Sequence, residues 1–179
     1  MDYIMSLILQ SSGGGQITIQ EPTTASNFTQ TLPAASGEVM VSGNMPAFSA
    51  YSNNSQTIVT STYVKMQINT EEFDTANCYD SSTNYRFTPN VAGYYQVNGN
   101  VSFNASVTAP QLGIYKNGSQ FKMGSNPSAG NWSTVSAVIY LNGSTDYIEL
   151  YGAHVTGITQ TLLAGAQYNY FQAALVRAA

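Results

Sequence analysis

Along much of the chain apolar and polar residues alternate with a period of two, the spacing at which successive side chains of a strand face opposite sides. Residues 94–105 show it most fully. Tyr95, Val97, Val101, Phe103 and Ala105 point one way with Gly99 in register, and Tyr94, Gln96, Asn98, Asn100, Ser102 and Asn104 point the other. Val64, Met66 and Ile68 alternate with Lys65, Gln67 and Asn69 in the same manner, and Val135, Ala137, Ile139 and Leu141 with Ser136, Val138 and Tyr140. Each run predicts a strand with one core face and one outward face. No segment sustains a 3.6-residue period, so very little helix is expected.

Turn residues cut these runs at short intervals. Asn-Gly supplies the two positive-φ positions of a type I′ turn, so residues 111–123 read as a hairpin about Asn117-Gly118, and residues 134–151 as a second about Asn142-Gly143. With strands near 46–51, 63–69, 84–88, 94–105 and 168–176, the pattern predicts an all-β, antiparallel sandwich or jelly roll. The first 45 residues differ. Gly13-Gly14-Gly15 and a Pro22-Thr23-Thr24 stretch separate tiny strands at 7–9, 17–19, 28–32 and 39–41, each too short to make a core alone. We therefore expect residues 1–45 to be a stem or docking arm that buries Ile17, Ile19, Phe28, Leu32 and Val39, and residues 46–179 to be the main knob. The arm either packs along the knob, winds with two other copies into a stem, or orders only on docking.

Composition sharpens this picture. Charged residues make up 8% of the chain, against roughly 25% in an average soluble protein, which suits strands and turns better than helices laced with ion pairs. The five basic residues are scattered singly, so no cationic stripe exists for nucleic acid. Cys78 is the sole cysteine, which rules out an intrachain disulfide, and it is expected as a small buried hydrophobe. The first nine residues lack a positive segment and a long apolar run, so no secretory signal is expected, and no later stretch has the length to cross a bilayer.

Candidate chemistry is sparse. His154 is the only histidine, so any Ser-His or Cys-His dyad would have to use it. It is expected at a strand end or loop in a structural role, with an ion or proton site on a three-fold axis as the sharper alternative. Glu71, Glu72, Asp74 and Asp80 form the one acidic cluster. Such carboxylates hold calcium or perform glycosidase chemistry in some sites, but a solvated loop is the simpler reading, and no cofactor is expected. Gly13-Gly14-Gly15 lacks the Lys-Ser/Thr of a phosphate loop and reads as a joint. Trp132 is the lone tryptophan, expected at a loop-to-strand junction, packed in the core or, if exposed, contacting a sugar. Thirteen Tyr and seven Phe exceed what one small sandwich core requires. Tyr94, Tyr115, Tyr140 and Tyr151 are placed off the core register, where contact between copies would bury them, or a glycan would stack.

From Pro46 onward the chain resembles the globular head of the complement C-one-q family, a relative of the tumour necrosis factor fold. Pro46-Ala47-Phe48-Ser49-Ala50 looks like its opening strand. The stretch through Tyr79-Asp80-Ser81-Ser82-Thr83-Asn84-Tyr85-Arg86-Phe87-Thr88-Pro89 and Ala92-Gly93-Tyr94-Tyr95 is similar to its aromatic signature. Leu141-Asn142-Gly143-Ser144-Thr145-Asp146-Tyr147-Ile148-Glu149-Leu150 resembles its penultimate hairpin, and Tyr170-Phe171-Gln172-Ala173-Ala174-Leu175-Val176 its closing strand. The resemblance implies a homotrimeric, non-enzymatic jelly roll. No collagen-like Gly-X-Y repeat precedes it. Residues 1–45 instead resemble the linking segments of tailed-bacteriophage virion proteins, with a Leu-Pro-Ala-Ala-Ser-Gly motif at 32–37. Together the two resemblances imply a virion protein made in the host cytoplasm: a trimeric capsid decoration (cement) protein bound to the major capsid protein or another virion protein. A tail-fibre knob that recognises host cell-surface glycan is the alternative.

Overall fold

The computed structural model describes residues 6–20 and 39–179, together with Thr29, Thr31 and Ala34. The chain divides into two compact units, Met1–Gly37 and Glu38–Ala179. In the first, β1 (Ser6–Gln10) and β2 (Gln16–Gln20) form an antiparallel hairpin, with Gly14 at φ 85° in the turn. The register sets Leu7 opposite Ile19 and Leu9 opposite Ile17, so alternation gathers these four aliphatic side chains on one face.

The second unit begins with a short 3-10 turn at Ser42–Asn44. Its strands are β3 (Ala47–Tyr51), β4 (Thr57–Ile58), β5 (Val64–Lys65), β6 (Thr70–Asp74), β7 (Tyr79–Asp80), β8 (Arg86–Phe87) and β9 (Ala92–Thr108). These are followed by β10 (Gln111–Lys116), β11 (Ser119–Met123), β12 (Ala129–Asn142), β13 (Ile148–Ala153), β14 (Gln160–Thr161) and β15 (Tyr170–Ala178). One sheet has the order β12-β9-β15-β3-β6 and the other β11-β10-β13-β8-β7, with β5 also paired to β13; β4 and β14 make a separate pair. Every pairing is antiparallel. Chain neighbours commonly fall in different sheets, and the architecture is the all-β jelly-roll sandwich that the alternation predicts.

The core lies between the two sheets. Tyr95, Val97, Val101 and Phe103 of β9 meet Leu112 and Ile114 of β10 and Ile148 and Leu150 of β13 in one buried cluster. Phe48 anchors an aromatic centre, stacked on Tyr79 at 4.5 Å and on Phe87 at 4.6 Å, with Phe171 edge-on at 5.2 Å. The phenols that enter this core are satisfied: Tyr79 donates to Ile68 O at 2.8 Å and Tyr95 to Val91 O at 2.7 Å. Unpaired, each would cost about 1–3 kcal/mol.

Several expectations are revised. Asn117-Gly118 forms its hairpin, with φ 52° and 78°, but Asn142-Gly143 does not, because β12 pairs with β9 and β13 with β10. There the Asn142 side chain accepts the backbone N–H groups of Ser144, Thr145 and Asp146 at 3.0, 2.9 and 2.9 Å. This capped turn carries the chain from one sheet to the other. The strand expected at 39–41 is absent: the Asn44 carboxamide takes Val41 N–H at 2.7 Å and offers its own N–H to Val39 O, a local alternative to a ladder. The stretch 63–69 pairs as a strand only at Val64–Lys65; Met66 N–H still bonds Leu150 O at 2.8 Å, Met66 and Ile68 are buried, and the Ile68 carbonyl accepts the Tyr79 hydroxyl. Ala105 is exposed, while Asn100 and Ser102, expected on a wet face, are buried beneath the segment before β15. Asn169 explains that burial. It is fully enclosed, accepts Ser102 N–H at 2.8 Å and donates to Leu163 O.

Candidate functional site

The outer face of the β12-β9-β15-β3-β6 sheet follows from the residues that alternate away from the core. Strand register lines up Ser136, Asn98, Gln172 and Ser49 in a row straight across four strands. Ser136 Oγ donates to Asn98 Oδ1 at 2.9 Å, and Gln96 Nε2 reaches both, at 2.9 and 3.1 Å. Gln172 Nε2 donates to Ser49 Oγ at 3.0 Å, which donates to Glu72 Oε2 at 2.5 Å. The row is therefore neutral and largely hydrogen-bonded within itself until it ends at Glu72. Phe73, Gln96, Asn98, Gln172 and Ala174 line a shallow groove of about 220 Å³ along it. Beside the row stand apolar side chains in water: Tyr94 is 44% exposed, Tyr140 43%, Val138 54%, Val176 57% and Phe73 51%. Tyr94 and Tyr140 sit on paired positions with ring centroids 5.5 Å apart.

The four tyrosines expected at a contact between copies divide between the two sheets. Tyr115 and Tyr151 lie on the outside of the other sheet, on β10 and β13, stacked at 4.0 Å with Tyr63 6.2 Å from Tyr115. Burial raises the pKa of both phenols. Beside them on the same face Lys65 Nζ meets Glu149 Oε1 at 2.5 Å, with the Glu149 side chain only 5% exposed. Burial alone would lower the Lys65 pKa, but the carboxylate at this distance more than offsets it and leaves the ammonium favoured. Arg86 sits 4.6 Å over the Tyr147 ring.

Of the expected docking residues, Ile17 (66% exposed) and Ile19 (57%) share the hairpin face with Leu7 and Leu9. Val39 belongs to the second unit and is 76% exposed; Phe28 and Leu32 lie outside the described residues. The acidic cluster is not gathered around an ion: among the described residues no three His, Cys, Asp or Glu side chains converge as a metal site. Its members bond to neighbours instead. Asp74 accepts Ala76 and Tyr79 N–H, Glu71 accepts Ser81 Oγ–H, and Glu72 ends the ladder. Asp80 takes Thr83 N–H at 2.9 Å and also caps Ser82 and Asn84, bonds that hold its carboxyl well below the usual range.

His154 follows β13 directly and is completely buried, its Nε2 3.1 Å from Ile58 O and its Nδ1 accepting Thr156 N–H at 3.3 Å, with Phe103 edge-on. With Nδ1 accepting, Nε2 carries the proton and donates, so both nitrogens are committed to holding β4 and the segment after β13. Cys78 is buried and burial raises its pKa, as expected of a packing residue. Trp132 is 48% exposed on the outside of β12, 6.3 Å from Tyr168, and not in the core. Sequence reasoning missed the Lys65–Glu149 pair and the Ser49–Gln172 link. A lone acidic residue inside Tyr147-Ile148-Glu149-Leu150-Tyr151 was the available signal for the first; the second needs strand order, which alternation does not give.

No family model matches the sequence, and no curated protein matches it. Solved structures do match by shape. Murine APRIL superposes with a TM-score of 0.57 at 11% identity, covering 74% of this chain and 99% of its own. Eiger TNF from S. frugiperda gives 0.57 at 8% identity, covering 76% and 95%. PRD1 vertex protein P5 gives 0.54 at 14% identity, covering 75% and 98%. At these identities the likeness is one of fold. The second unit is a tumour necrosis factor-like jelly-roll sandwich.

Proposed function

We propose that the chain is a structural virion protein of a bacteriophage: a trimeric capsid decoration protein, without catalytic activity, attached to the particle through its N-terminal segment. One observation carries the attachment. The β1–β2 hairpin presents Leu7, Leu9, Ile17 and Ile19 on a single face, each more than half exposed, and a two-stranded hairpin is at best marginally stable by itself. Burying those side chains on a partner supplies about 1.5–3 kcal/mol for each one fully covered, which is what a surface protein needs to hold neighbouring capsid subunits together. Association of copies is assigned to the outer face of the β12-β9-β15-β3-β6 sheet, where Tyr94, Tyr140, Val138 and Val176 flank a neutral ladder. The fold shared with a vertex protein is in keeping with this reading. A tail-fibre position is the second reading, favoured by the exposed Trp132.

Particle imaging tests both. A chain lacking residues 1–20 is expected to fold and to be missing from particles that assemble in its presence, while the full chain gives density on the capsid surface. Incorporation of the truncated chain, or density for the full chain on the tail alone, would overturn the decoration role.

A further inference from the structure

Both chain ends of the second unit meet at one end of the sandwich, where Leu175 N–H bonds Pro46 O and Ala179 N–H bonds Ala92 O. The opposite end is closed by a small cap. Its only ladder is β4 with β14, two residues each, pairing Ile58 with Gln160 and Thr57 with Thr161. So short a pair is marginal by itself, and the cap is held mainly by bonds that converge on residues 154–157. Ser61 N–H bonds His154 O at 2.7 Å and Val155 N–H bonds Thr108 O at 2.9 Å. Thr108 N–H bonds Thr156 Oγ1 and Gly157 N–H bonds Thr60 Oγ1, both at 3.0 Å. Leu162 bridges to Phe103 and gives its N–H to Gln56 O.

The His154 ring sits inside this knot and is wholly buried. Nε2 donates to Ile58 O, on β4, at 3.1 Å, and Nδ1 accepts Thr156 N–H at 3.3 Å. The Ile58 carbonyl can accept from Nε2 whether the ring is neutral or charged, so the two forms differ at Nδ1. A proton there would meet the Thr156 N–H donor to donor. No counter-ion is at hand to offset the charge. Residues 52–62, 101–110 and 155–167, which surround the ring, contain no Asp, Glu, Lys, Arg, Tyr or Cys. Glu149 and Tyr151 lie on its own strand, but alternation turns them to the outer face, as it does Lys65 opposite Tyr151; Tyr63 is bonded to Gln111 and Tyr168 stands beside Trp132 on the other sheet. A buried imidazolium without a partner is costly.

We infer that His154 is a proton-operated latch: the neutral ring holds the β4–β14 cap shut, and a proton on Nδ1 releases it. Release brings the buried Ile58, Phe103 and Leu162 toward water beside Val59, Val155 and Ile158, which are exposed already, so acid enlarges an apolar, uncharged surface at the end away from Pro46 and Ala179. The closed form binds one proton fewer than the open form, whose free imidazole titrates near roughly 6.5. Closure is therefore complete above that pH and weakens as pH falls through it. The latch is independent of any place on a virus particle.

His154 is the only histidine, so between pH 7.0 and 5.5 it is the one side chain expected to change charge. Amide hydrogen exchange of the full chain, corrected for intrinsic rates, tests the latch. Protection at Ser61, Val155 and Leu162 should fall about eightfold between these pH values, while Val97 in the core keeps its own. His154→Gln, which has an N–H donor and an acceptor but does not titrate, should remove the pH dependence whatever its starting protection. Constant protection at the three amides, an equal fall at Val97, or the same fall in His154→Gln would each overturn the latch. If the variant does not fold, ring nitrogen shifts of the wild-type protein decide: a proton on Nε2 alone is expected at pH 7.0, and a ring that becomes doubly protonated by pH 5.5 while the three amides stay protected would overturn it equally.

Discussion

On the β12-β9-β15-β3-β6 sheet the tyrosines rise into water, with Tyr94 and Tyr140 44% and 43% exposed, whereas on the sheet behind it Tyr115 and Tyr151 lie against one another and show less of their rings. Their neighbours on each face differ as well. Beside Tyr94 and Tyr140 runs a row of neutral amides and hydroxyls bonded to one another; beside Tyr115 and Tyr151 sits the Lys65–Glu149 ion pair. Neutral groups that already have partners lose little when water is removed, while an ion pair loses much of its solvation. The same residue type thus marks a face ready to be dried in one place and a face suited to staying wet in the other.

The strongest way to break this comparison is to charge one face and truncate the other. Val138→Asp with Tyr140→Asp would force two carboxylates into the proposed contact between copies, and we expect light scattering to fall from about three times to one times the chain mass of 19.2 kDa. Tyr115→Ala with Tyr151→Ala should leave the mass unchanged. The reverse pattern would exchange the roles of the two faces, and a wild-type chain that is already monomeric would remove the first role altogether.

A smaller effect measures the polar neighbours on each face. Lys65→Met leaves Glu149 mostly buried without its cation, and we expect a loss of about 2 kcal/mol, kept modest because Lys65 is itself a third exposed. For a domain of this size that is roughly 4–8 °C in Tm. Ser49→Ala, which unlinks Gln172 from Glu72 in the neutral row, should cost about 1 kcal/mol. Equal losses in thermal melts of the two variants would mean that the ion pair is no more demanding than the ladder.

The sequence made the faces visible but not their membership. Alternation at 94–105 and 135–141 set Val97 and Ile139 inside and Asn98 and Ser136 outside, and the structure agrees. Which strands lie side by side was not legible, because period-two patterning is the same for every partner, and so alternation does not show that Tyr94 on β9 and Tyr115 on β10 stand on different sheets. The Asn142-Gly143 turn shows the same limit: its residues suit a hairpin, and the choice between hairpin and crossover was made by the pairing of β12 with β9. The buried polar residues Asn169 and His154 were likewise illegible as anchors, since their partners Ser102 and Ile58 are far along the chain.

Acid should act unevenly on the two sheets, and this is the smallest effect expected. Asp80, on β7, is held below the usual carboxylate range chiefly by the Thr83 N–H, and Asp146, just before β13, by the side chains of Lys116 and then Asn117. For a carboxylate whose folded pKa is depressed, the stabilisation is complete above the unfolded value of roughly 3.9 and is lost as pH falls through the folded one. Both groups are attached to the sheet that carries Tyr115 and Tyr151. Hydrogen exchange between pH 5 and pH 2.5, corrected for intrinsic rates, should therefore show protection failing first at Ser82, Thr83 and Asn84, and later in β9 and β12. Asp80→Asn should remove most of that early loss by lowering protection at every pH. If β9 and β12 open as early as the Asp80 turn, the acid-sensitive contacts lie on the neutral face, and the electrostatic contrast between the two sheets is wrong.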